Sequence, residues 1–175
     1  MPSPRDLQLL ARYNRWMNGK LYAAVAEWDD EALQRDRGAF FGSVFATLCH
    51  LVEADLIWLM RFAEHSDDFV TLEPLSALTH PYLLSGPRYH DFAGLRDARE
   101  RLDEIILAFA GEITAAHLDQ RLLYHNRAGE TFDRPLGPLL LHFFNHQTHH
   151  RGQITTLLSQ AGIDVGDTDL SCLVE

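Results

Sequence analysis

Cysteine is nearly absent from this sequence: Cys49 and Cys172 are the only two, far apart and without C-x-x-C spacing. That excludes a disulfide framework and a thiolate zinc cage, and it leaves Cys49 as a structural thiol. Basic residues are also in short supply, with 15 Lys and Arg against 25 Asp and Glu and a net charge of −10. No basic stripe is present for a phosphate backbone to follow, so nucleic acid is excluded as a partner. No apolar run approaches the roughly 18 residues that a membrane span needs, so no membrane partner is expected. The opening Met1-Pro2-Ser3-Pro4-Arg5-Asp6 lacks the apolar core of a signal peptide, and the expected compartment is the cytoplasm. What remains is an ordinary apolar fraction of 46% in 175 residues, enough to bury one core in one domain without disulfides or a structural metal.

Apolar residues recur at helical spacing in four segments. Leu10, Tyr13, Met17, Leu21, Ala24 and Trp28 step by three and four, which predicts a helix over 4–28. Phe40-Phe41-Gly42 then leads to Ser43, a good N-cap, and a second helix is expected over 43–64 with Phe45, Leu48, Val52, Leu59 and Phe62 on one face. The aromatic connection before it suggests a segment packed over the end of the helices. Residues 66–90 carry Pro74, Pro81, Gly86 and Pro87 and read as a loop-like crossover, in which His80 and His90 are ordinary exposed histidines. Asp91 caps a third helix, 91–117, whose Arg96, Arg99 and Arg101 read as a solvated face. Two short runs flank the turn Asn126-Arg127-Ala128-Gly129, predicting a small β-hairpin. The last helix is expected over 138–161, opened by Pro135 and Pro138 and ended by Gly162. The tail Asp164 to Asp169 lacks most ligands of a calcium loop.

The chemistry concentrates in the last helix, where His142, His146, His149 and His150 place four of ten histidines within nine residues. Positions four apart share a helix face, so His142, His146 and His150 stack one above another. Histidine is a mediocre helix former and the commonest metal ligand, which makes His146 and His150 a candidate ligand pair. A solvated histidine cluster or an ordinary catalytic imidazole has the same spacing, and the pair needs ligands from elsewhere. Four helices with two long connections describe a four-helix bundle, and in its core His50 of the second helix would meet that pair. Three imidazoles leave one coordination position open, as in catalytic rather than structural zinc sites.

Taken together, Asn145-His146-x-x-His149-His150-Arg151-Gly152-Gln153, the helical His50 and the early Tyr13-Asn14-Arg15-Trp16 resemble the DinB/YfiT-like family of metal-dependent enzymes. The family shares part of its name with a DNA polymerase class but is unrelated to it. The resemblance implies an all-α, up-down-down-up four-helix bundle with a small β-hairpin before the last helix. It also implies a homodimer and a three-histidine site of His50, His146 and His150 that takes a divalent ion, nickel or zinc. Relatives in the wider superfamily include thiol-dependent S-transferases and isomerases. The expected function is therefore metal-dependent hydrolysis or S-transfer on a small molecule, with water or a low-molecular-weight thiol as nucleophile. A non-catalytic, stress-related metal-binding or ligand-sensing bundle is the alternative. Glu53, Asn145 and His149 are candidate hydrogen-bond partners of the ligands. Arg151 is a candidate for an anionic substrate group or a dimer ion pair. Trp16, Trp58 and Phe62 are candidate dimer contacts.

Overall fold

The computed structural model describes residues 2–83 and 87–174. Four long helices dominate it: α1 (Pro4–Ala24), α3 (Val44–Ala63), α4 (Phe92–Glu112) and α6 (Leu136–Gln160). Helix α1 packs against α4 and α6, and α3 packs against the same two. The apolar faces they share supply most of one buried cluster, which includes Leu7, Leu21, Leu48, Phe62, Ile106, Phe109 and Phe143.

Each start has a local cause. The Ser3 hydroxyl accepts from the Asp6 amide while the Asp6 carboxylate accepts from the Ser3 amide, a capping box that opens α1. Ser43 accepts from the Ala46 amide at 3.1 Å and Asp91 from the Gly94 amide at 2.7 Å, the two caps expected for α3 and α4. Helix α6 begins at Leu136, two residues before the expected start, because Pro138 falls within a first turn whose amides need no partner.

Some expected boundaries fail. Helix α1 stops at Ala24, four residues short, and Asp29 caps a separate short helix α2 (Asp30–Gln34) through the Ala32 amide. The third expected helix breaks after Glu112, where the Thr114 hydroxyl captures the His117 amide and starts α5 (Ala115–Leu118). The crossover is not wholly loop-like. Val70–Ala77 and Pro81–Leu83 are 3₁₀ turns, and Phe69, Leu72 and Leu75, three residues apart, lie on one buried side against α3 and α4.

The hairpin pairs β1 (Arg121–His125) with β2 (Thr131–Pro135), with His125 opposite Thr131. Its loop holds five residues, one more than expected, because Asn126 itself folds the turn. The Asn126 side-chain oxygen accepts from the amides of Ala128 and Glu130, and Gly129 takes φ +81°. No helix among the described residues is long and apolar enough to cross a membrane.

Candidate metal centre

Helix α3 carries His50 and helix α6 carries His146 and His150 to one place. The His146 Nε2 lies 3.2 Å from the His50 Nε2 and 3.1 Å from the His150 Nε2. All three ring nitrogens fall within 4.8 Å of one another, and among the described residues no cysteine or carboxylate joins them.

This donor set fits a divalent ion. The His150 Nδ1 donates to the Gln153 Oε1 at 2.8 Å, one turn along α6, so the neutral ring turns an Nε2 lone pair inward. The single proton available to His146 Nε2 can lie toward only one of its two neighbours. One close nitrogen pair is therefore not a hydrogen bond, whichever tautomers the rings adopt, and a shared cation relieves that repulsion. Two imidazole nitrogens, each about 2.0–2.1 Å from an ion, are about 2.8–3.4 Å apart at right-angled to tetrahedral geometry, which brackets both distances.

Electrostatics keep two of these rings in the form a metal requires. Burial, helped by the neighbouring His150 ring, holds His50 down to about 4 from its ordinary 6.5. Burial and the surrounding histidines, His150 foremost, hold His146 down to about 4 as well. The sign follows for the metal-free protein. The unfolded chain takes up these protons through pH 6.5 and the folded chain only near 4, so stability falls as pH drops through that window. Urea melts in chelator at pH 7 and 5 measure the drop. The His50→Asn/His146→Asn double variant is expected to show a smaller one, and an equal drop in that variant would contradict the assignment.

Phe41 covers the site. Its ring stacks on His50 with centroids 4.1 Å apart and meets His150 edge-on at 5.4 Å. The loop that delivers it turns at Gly42, which has φ +79° and pairs with Ala39, while the neighbouring Phe40 stays 85% exposed. The aromatic connection thus packs over the histidines themselves.

The neighbours sort differently from the sequence expectation. His142 leans on Trp58, with centroids 5.3 Å apart, and His149 is exposed beside Gln153. Asn145 is exposed and makes no hydrogen bond to the histidines among the described residues. Gln153, one turn along α6 from His149 and His150, is the neighbour that bonds to a ligand ring. Glu53 lines a cavity of about 370 Å³ with His50 and does not bond to its ring. His80 accepts from the Tyr82 amide, and His90 is exposed; neither reaches the cluster.

Arg151 does not face the site. It is 3% exposed, donates to Asn14 and to the Thr148 hydroxyl, and stacks over Tyr13. It borders a buried polar network. Arg99 donates to Asp55 at 2.6 Å and ion-pairs with Asp103 at 3.0 Å, Gln147 donates to Asp55, and Asn14 and Asn18 donate to Asp103. Arg99 is 3% exposed, so the solvated-face reading fails for it. The missed signal is that Leu95, Arg99, Leu102, Asp103 and Ile106 share one helical stripe. A cavity of about 400 Å³ between α1 and α4 borders this network and holds none of the three histidines.

Asn14 in the network, Tyr13 bonded to the Thr168 carbonyl, and the histidine helix are the same elements that carry the family resemblance. A family model, the DinB family, matches residues 1–174. The chain belongs to the DinB family. Protein DinB of Bacillus subtilis (strain 168) is 28% identical over 162 residues, which is 91% of this chain and 88% of that protein. No solved structure matches the chain. Family membership and the three-histidine group together make this DinB-family protein compatible with metal binding.

Proposed function

We propose that the protein is a metal-dependent enzyme in which His50, His146 and His150 hold one divalent ion, zinc or nickel. The convergence of three imidazole donors among the described residues, with His50 lining a cavity, carries this reading. When bound, such an ion supplies Lewis acidity that activates water or a thiol for attack on a small molecule, giving hydrolysis or S-transfer. Gln153 orients His150, the stacked Phe41 ring fixes His50 and keeps water from that side, and the cavity beside His50 receives the substrate. A structural site would be closed by a fourth protein donor, and three donors leave room for substrate.

The arrangement of α1, α3, α4 and α6 is, on this reading, one up-down-down-up four-helix bundle, in which short inward donors from α3 and α6 meet as bundle metal sites do. Metal analysis of protein purified without chelator or histidine tag is the test. About one zinc or nickel per chain is expected, followed by turnover in a screen of thiols against small electrophiles. A metal-free protein that binds neither ion would end the reading.

The protein is also proposed to form a homodimer. Half-buried Trp16 and Trp58 support this, whereas Phe62 is fully covered within its own chain and contributes nothing to an interface. Sedimentation at micromolar concentration is expected to give twice the 19.9 kDa chain mass, and a single species at the chain mass contradicts it.

A further inference from the structure

Arg61 on α3 is a buried cation with no carboxylate partner among the described residues. It is 8% exposed, and its guanidinium carbon lies 4.7 Å from the ring centroids of both Trp58 and Tyr124. Its Nη2 donates to the His125 carbonyl at 2.9 Å and to the Tyr82 hydroxyl at 3.2 Å. Aromatic faces and neutral oxygens offset only part of the cost of burying a guanidinium. Its Nε and Nη1 bond to no described residue.

The Arg61 side chain lines the same cavity of about 370 Å³ as His50. The volume suits a small molecule. His50, Ile57, Trp58 and Arg61 follow one side of α3, and eleven residues of helix separate His50 from Arg61 by about 16 Å between Cα atoms. Helical side chains lean toward the N-terminus, so the Arg61 guanidinium leans back toward the histidines. The wall between them is apolar at Ala54, Ile57 and Trp58 and carries one acidic group, Glu53.

We propose that Arg61 anchors the carboxylate of an elongated organic substrate whose other end lies against the three histidines. The proposal rests on the metal-site reading for what happens at that far end, while the subsite at Arg61 stands on its own geometry. One buried guanidinium matches a monoanion, and Glu53 in the same cavity disfavours a dianion such as phosphate. Arg127 at the rim adds attraction for the incoming anion.

The probes are hexanoate, its neutral isostere hexanamide, and inorganic phosphate. They are titrated into chelator-treated and zinc-loaded protein while the indole N–H resonance of Trp58 is followed by NMR, assigned through Trp58→Phe. Hexanoate is expected to shift that resonance saturably, with hexanamide and phosphate at least about tenfold weaker. Arg61→Gln is expected to lose at least about tenfold in hexanoate affinity and keep the parent zinc affinity, with Arg61→Lys in between. Because Arg61 also ties the hairpin to α3, the hexanoate and hexanamide comparison on the unaltered protein stands even if Arg61→Gln fails to fold. Equal binding of acid and amide, tighter binding of phosphate, no saturable shift, or a folded Arg61→Gln that binds hexanoate as the parent does would each overturn the proposal. Hexanoate recognition with no zinc binding supports the subsite and counts against the metal reading alone. Zinc binding without hexanoate recognition does the reverse.

Discussion

Replacing His150 with alanine is expected to weaken zinc or nickel binding by about a hundredfold or more, measured in equilibrium competition with a chelator. The variant loses one of three donors and also the Gln153 contact that orients it, and the two imidazoles left cannot surround an ion in comparable geometry. His50→Ala and His146→Ala are expected to match it. Gln153→Ala leaves all three donors in place but frees the His150 tautomer, and about a tenfold loss is expected. His80→Ala and His90→Ala should leave affinity unchanged, since neither ring reaches the cluster. The fold is expected to survive metal removal, because its core does not depend on the site. If the variant lacking all three histidines binds as tightly as the parent, these residues are not the ligands.

The largest stability effect is expected at Asp55. Removing its carboxylate with Asp55→Ala leaves the Gln147 amide without a partner and the buried Arg99 guanidinium with Asp103 alone. Breaking a buried pair in this way costs about 3–5 kcal/mol, a large share of a typical domain's stability. Arg99→Met should cost a similar amount, because it strands Asp55 and Asp103 together. Replacing the pair at once, as Asp55→Leu with Arg99→Met, should cost less than Arg99→Met alone, since Asp103 is then the one carboxylate left stranded. Urea unfolding at pH 7 measures all three. A cost below about 1 kcal/mol for Asp55→Ala would mean that the network is open to water.

The extent to which the sequence spoke for the structure depends on the range of the interaction involved. The four long helices were legible because their apolar period and the Ser43 and Asp91 caps are local. Their ends were less so. The stripe through Trp28 continues past Ala24 in spacing, but Asp29 competes for the chain with a cap of its own, as Thr114 does beyond Glu112. In the site, the His146 and His150 pair was readable from four-residue spacing, and the bundle reading brought His50 of the second helix to it. Phe41 reaches them through a loop whose path depends on Gly42, so no periodicity could announce its stacking. Arg99 and Asp103 were hidden for a different reason. Charges counted along α4 look solvated, and only their place on the Leu95 to Ile106 stripe turns them inward.

The buried network also bears on how the chain reaches this fold. Asn14 and Arg151 are 137 residues apart in sequence, Asn18 and Asp103 are 85 apart, and Asp55 and Arg99 are 44 apart. Helices form in well under a millisecond from neighbouring residues, whereas these contacts must close long loops before any of them is rewarded. The charged groups remain hydrated until the helices dock, so their pairing is expected to form after the folding barrier rather than in early collapse. Changes in the network then act chiefly on the rate at which the native protein opens, and it is the lifetime of the folded state, more than the speed of its formation, that Asp55 and Arg99 govern.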